Sequence, residues 1–211
     1  EEGRETFLKE LAWREFSAHL LHHTPALPDE PFRPEFASFP WREDATMLRA
    51  WQRWLTGYPI VDAGLRELWT TGFMHNRVRM IAASFLIKHL LQPWQAGEAW
   101  FWDTLVDADL ASNAANWQWV AGTGAEAAPY FRILNPVLQG QRHDPDGDFI
   151  RTWVPELADL PGEAIHEPWK HRQRDQGPGS PLPDADYPEP IVEHRIARQR
   201  ALDAYHHASR L

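Results

Sequence analysis

The chain has 211 residues, a formal net charge of −9, no cysteine and twelve tryptophans. Lack of cysteine excludes disulfides and thiolate chemistry. The acidic balance argues against nonspecific nucleic-acid binding by bulk charge, though not against a local basic patch. No apolar run reaches about 18 residues and no signal peptide stands out, so the chain reads as one large, soluble, intracellular domain with no membrane span. Twelve tryptophans can stiffen a core, flank a flat aromatic ligand or carry electrons, and composition does not choose among these.

Strand-type alternation is scarce and 3.6-type spacing recurs, which predicts an all-α chain. The first helix runs from Glu5 to His23, with Phe7, Leu11, Phe16, Leu20 and Leu21 as core contacts. Five prolines make Thr24 to Pro40 a loop. Asp44 caps a helix to Leu55. Gly57-Tyr58-Pro59 is a turn, and Pro59 sits in the first turn of a helix to Thr71. Gly72 interrupts, then a long helix covers His75 to Leu91, and Pro93 opens another to Val106. Asp109 is a good N-cap for a helix ending at Gly122, whose position suits a C-cap. Gly124 to Asp148 reads as loop with a short helix around Val137. Ile150 to Leu160 holds short helical pieces, Gln173 to Glu189 is a Pro/Gly/Asp-rich mobile connector, and Ile191 to Ala208 is the last helix. No internal repeat or second domain is visible.

Asp109, Asn113 and Trp117 drift by only about 40° per step around a helix, so a carboxylate, an amide and an indole share one stripe. The plain alternative is a capped helix with a buried Trp. Arg77 and Arg79 lie in the first turn of the His75 helix, where cations oppose the helix dipole. They form either an exposed basic turn or a site in which Arg79 pairs with an acid such as Asp107 beside a ligand, with Asn76 and Arg77 reaching outward. Asn76, Met80 and Ala83 share one face of that helix. Glu10 and Trp13 are i, i+3 neighbours, either a solvated rim or the wall of a pocket for a flat polar ring. Eleven histidines offer no metal-ligand pattern: His22-His23 and His206-His207 are adjacent pairs pointing to different helix faces, and His166-Glu167 has Lys170 where the zinc-protease motif needs a second His. No metal is expected.

WREF (13–16), TGYPIVDAGLREL (56–68), TGFMHNRVRMIAASFLIKHLL (71–91), WDTLVDADLASNAANWQWVAGTG (102–124), PYFRILNP (129–136), HEPW (166–169) and YPEPIVEH (187–194) closely resemble the helical FAD-binding domain of the photolyase/cryptochrome family. They match in order and spacing over nearly the whole chain. Within the family the chain is most similar to class I cyclobutane pyrimidine dimer photolyases. The resemblance places Asn113 at the flavin's reactive ring nitrogen and Met80 against the dimer. It makes Glu10 and Trp13 binders of the flipped dimer, and Asn76, Arg77, Trp119 and Arg132 further pocket or DNA contacts, with Asn76 also counted among the flavin-binding residues. It makes Arg79 and Asp107 an ion pair beside the flavin, Asp109 a second flavin contact, and Trp117, Trp94 and Trp41 an electron-transfer chain from flavin to surface.

The function so implied is light-driven dimer repair by electron transfer from reduced FAD, in a monomer acting on dimer-containing DNA. The alternative is a cryptochrome-like photoreceptor using the same FAD and Trp chain for signalling, against which Asn113, Met80, Glu10, Trp13 and the short tail after Tyr205 are read. Two family parts find no match in 1–211: the α/β domain that holds the antenna pigment, and the Thr/Ser-rich segment that grips the flavin diphosphate. The chain is therefore read as this one domain without them. A helical domain that binds no flavin is the remaining reading.

Overall fold

The computed structural model describes residues 2–125, 132–174 and 187–208. All regular structure in them is helical. In chain order come α1 (Glu2–His23), α2 (Ala45–Gln52), α3 (Pro59–Thr71), α4 (Asn76–Ser84), a π-helical turn (Phe85–His89), α5 (Trp94–Thr104), α6 (Leu110–Ala121), α7 (Pro136–His143), α8 (Asp148–Trp153), α9 (Pro168–Arg174) and α10 (His194–Ala208). Short 3-10 turns lie at Pro34–Phe36, Pro155–Leu157 and Gly162–His166.

The helix boundaries follow local chemistry. The Asp44 carboxylate accepts from the Thr46 and Met47 amides and starts α2. Pro59 occupies the first turn of α3, where its missing N–H costs nothing. Gly72 and Gly122 end α3 and α6 at φ of 72° and 84°, left-handed conformations that a Cβ would strain.

α6 lies at the centre. α1 and α5 pack against it, and α4 crosses it; α3 packs on α4 and α8, and α10 on the π turn. Trp51, Phe101 and Trp117 interlock there, with Phe101 and Trp117 rings 4.9 Å apart and Trp51 and Trp117 at 6.5 Å. Trp51 Nε1 donates to the Ala82 carbonyl at 3.1 Å, so the indole N–H is satisfied inside the core. Gly97 is required beside this cluster, because a Cβ there would overlap the six-membered ring of Trp117. The buried Asp62 carboxylate ties the turn before α3 to Tyr187. It accepts from Thr56 N, Thr56 Oγ1, Gly57 N and Tyr187 Oη, while burial pushes it up to about 6.

Several expectations need correction. Phe7 and Phe16 are not core contacts: they are 62% and 40% exposed, because α1 leans chiefly on α6 and one supporting helix covers only a narrow stripe. His22 and His23 do not point apart; their rings touch at 4.9 Å at the end of α1. α2 stops at Gln52, and Trp54 takes a left-handed φ of 51° as the chain turns toward Thr56. The helix expected over His75 to Leu91 changes to π geometry at Phe85, with Leu90 N donating five residues back at 3.1 Å. α9 and the 3-10 turn at Gly162–His166 were not expected. Most of the expected connector, 175–186, lies outside the described residues.

Candidate functional site

The site is built where α4 meets α6. Asp109 accepts from Ser112 N at 2.8 Å through Oδ1, and its carbonyl accepts from Asn113 N at 2.8 Å. The cap starts α6 one turn before Asn113. Asn113 Nδ2 donates to the Glu98 carbonyl on α5 at 2.9 Å, which orients the carboxamide. Its Oδ1 makes no hydrogen bond within the described residues and is available to a donor.

Arg79 Nη2 meets both Asp107 oxygens, at 3.0 and 2.9 Å, and its Nε donates to the Met74 carbonyl at 2.7 Å. The acid that the basic first turn of α4 demands is thus Asp107. The pair neutralises Arg79. Arg142 lies near His143, as Arg77 does. Burial, then the charges of Arg77, Arg142 and His75, lowers the His143 pKa.

Met80 is half-buried and borders a small, half-open cavity of about 20 Å³, together with Ser84, Lys88, Trp119, Val120, Arg132 and Leu134. Met80, Trp119 and Arg132 are thereby brought together. Asn76 is exposed at the start of α4, and Arg77 is half-buried. Glu10 and Trp13 stand on the exposed side of α1. Trp13 is 49% exposed, with its ring edge-on to Phe16 at 5.9 Å, and neither residue hydrogen-bonds to Asn76, Arg77 or Met80 within the described residues. Trp117 and Trp94 are buried in the main hydrophobic cluster, and half-buried Trp41 packs against its edge beside Phe39 at 4.3 Å. The three indoles therefore lie in or against one continuous apolar medium, with Trp41 nearest to water.

Among the buried ionisable groups that escaped the sequence reading are Glu98 and Lys88. Glu98 is pushed up to about 7 by burial and then by Asp29. Lys88 is 1% exposed, and burial followed by Arg132 lowers it to about 8. A charge inside the apolar runs GEAWFW and SFLIKHLL was the signal available for each. Among the described residues no three acidic or histidine side chains gather as a metal ion requires, and no helix is long and apolar enough to cross a membrane.

The sequence model of the FAD-binding domain of DNA photolyase matches residues 7–207. The chain belongs to this family. Photolyase relatives include the deoxyribodipyrimidine photo-lyase of Agrobacterium fabrum, 57% identical over 205 residues, and that of Escherichia coli, 52% identical over 200. Each match takes in 94% of this chain but 42% and 41% of the relative, so the chain spans less than half the length of these proteins. Among solved structures, a class III photolyase from Agrobacterium tumefaciens superposes with a TM-score of 0.89 at 54% identity, covering 98% of this chain and 43% of that one. A Synechocystis cryptochrome superposes at 0.85 and 35% identity, covering 97% and 42%.

The residues at the seam fit a flavin. A free carboxamide oxygen, a guanidinium already neutralised by a carboxylate and a buried indole one turn beyond Asn113 can together meet the polar edge and the redox chemistry of a flat ring system.

Proposed function

We propose that this chain is the FAD-binding, electron-donating domain of a light-driven lyase that splits cyclobutane pyrimidine dimers in DNA, acting as an intracellular monomer. The observation that carries this reading is Asn113. With its NH2 committed to the Glu98 carbonyl, it offers an acceptor oxygen suited to the N5–H of a reduced flavin, and as a neutral amide it adds no negative charge beside an anionic ring. Arg79, Asp107, Asp109 and Asn76 are the other flavin-side residues. Bound and reduced, FAD would supply a light-driven electron.

The chain's own groups then have separable tasks. Trp13 and Trp119 present aromatic faces to an extruded dimer, Glu10 and Asn76 meet the polar edges of its bases, and Met80 fills the space between. Extrusion costs only a few kcal/mol for a poorly paired lesion. Arg77 and Arg132 hold flanking phosphates and give salt-dependent affinity despite the acidic total. Trp117, Trp94 and Trp41 would relay electrons from an external reductant at the surface toward the cofactor, the first two inside the buried cluster and Trp41 at its edge.

The cryptochrome match supports the second reading, a photoreceptor built on the same indole chain. Binding separates the two. The FAD-loaded chain is mixed with matched oligonucleotides, one carrying a thymine dimer. Repair requires tighter binding of the damaged one; equal affinity for both would overturn it in favour of the photoreceptor.

A further inference from the structure

Lys88 is the most deeply buried cation among the described residues. An ammonium removed from water is costly unless acceptors replace the solvent. Lys88 Nζ donates to the Arg132 carbonyl at 3.1 Å, across 44 residues of sequence. The same side chain lines the cavity that Met80, Trp119 and Arg132 border. Ser84, one turn before it on the same wall, keeps its buried Oγ without a hydrogen bond. Lowered only to about 8, the ammonium stays mostly protonated at neutral pH. The like charges of Lys88 and Arg132 repel, which favours an outward guanidinium on a main chain held from within, and Arg132 is indeed exposed.

We infer that Lys88 is a positioning residue for DNA recognition: its ammonium pins the Arg132 main chain to the wall of the Met80–Trp119 cavity, so that the Arg132 guanidinium meets a phosphate from a fixed frame. This rests on the reading that Met80, Trp119 and Arg132 face dimer-containing DNA. A charge-assisted hydrogen bond to a carbonyl is short, directional and stronger than a neutral one, which suits it to fixing a backbone segment.

A double-mutant cycle tests it. The FAD-loaded wild type, Lys88→Met, Arg132→Ala and the double variant are titrated with a fluorescent dimer-containing oligonucleotide and with its undamaged match, and retained FAD is read from its absorbance. Lys88→Met should weaken dimer binding about tenfold with FAD content unchanged. Lys88→Arg, which keeps a charged donor, should recover most of the loss. In the Arg132→Ala background, Lys88→Met should add no more than about twofold, because a residue that acts through Arg132 has nothing left to position. If Lys88→Met does not fold, Lys88→Gln enters the same cycle. Additive losses, or DNA affinity falling in step with FAD content, would overturn the role and leave Lys88 a charge that merely stabilises the core. A wild type that binds both oligonucleotides alike would instead overturn the repair reading on which the inference stands.

Discussion

Trp13 on α1 and Trp117 on α6 are proposed to serve one photochemical site, yet the fold treats them oppositely. Trp117 is 2% exposed, ringed by Phe101, Trp51 and Gly97, on a helix capped at both ends. The next residue, Gln118, is also buried and fully used: Nε2 donates to the carbonyls of Leu27 and Glu30, and Oε1 accepts from Phe32 N. Trp13 is half exposed on a helix resting chiefly on α6, among other exposed apolar side chains. An indole that must hold a redox position is fixed by packing on every side. An indole that must receive a ligand is left bare, and its apolar surface adds little to stability until something covers it. On the proposed reading α1 meets the substrate with side chains that add little to stability, whereas α6 carries the packed core as well as Trp119.

The largest test of this contrast is truncation of each region. Trp51→Ala should cost about 3–5 kcal/mol, since it empties a buried site and removes the indole's hydrogen bond to the Ala82 carbonyl. Phe16→Ala should cost no more than about 1 kcal/mol. Urea unfolding of both variants checks this, and similar losses would mean that α1 is more firmly built in than its exposure indicates.

The second effect is pH-dependent and belongs to the packed region. His89 Nε2 and His194 Nδ1 lie 2.8 Å apart where α10 meets the π turn. Burial, then the charge of His194, holds His89 down to about 3 from 6.5. The unfolded chain therefore binds the extra proton between those values. Stability from the neutral imidazole is complete above 6.5 and declines as pH falls toward 3, at up to about 1.4 kcal/mol per pH unit for one proton. Unfolding free energies of wild type and His89→Gln, compared from about pH 7 to about pH 4, should converge on acidification. Raised acids such as Asp62 and Glu98 are common to both proteins and cancel in the difference. A gap that is constant with pH would place the proton elsewhere.

The smallest effect on stability should come with a large effect on binding. Trp13→Ala should change unfolding by no more than about 0.5 kcal/mol, spare FAD binding and still weaken affinity for dimer-containing DNA. Unchanged affinity would remove Trp13 from the substrate wall.

Much of this contrast is legible in the sequence. Asp44 and Asp109 announced helix starts, Gly72 and Gly122 announced stops, and two arginines in one N-terminal turn called for the acid found at Asp107. These signals are local, because each concerns a few backbone groups or one charge balance. What stayed hidden depends on the rest of the chain. Periodicity marks Phe7 and Phe16 as apolar but does not say how many helices come to cover them. The left-handed Trp54 and the π turn at Phe85 arise from packing that local propensity does not report. Lys88 lies buried in that same turn, which no local signal announces. For the site, the resemblance named residues on six separate segments. The structure brings Arg79 to Asp107, Asn113 to α5, and Met80, Trp119 and Arg132 to one cavity, and leaves Glu10 and Trp13 exposed on α1.

The most direct measurement is loss of thymine dimers from an oligonucleotide under blue light. The chain is loaded with prereduced FAD, a dark control runs beside it, and Trp117→Phe is tested in parallel. Repair in the light alone is the result predicted. Trp117→Phe should repair equally when prereduced but fail to regain reduced flavin after oxidation. A bound-flavin spectrum with no dimer loss in the light would contradict the repair function and favour the photoreceptor.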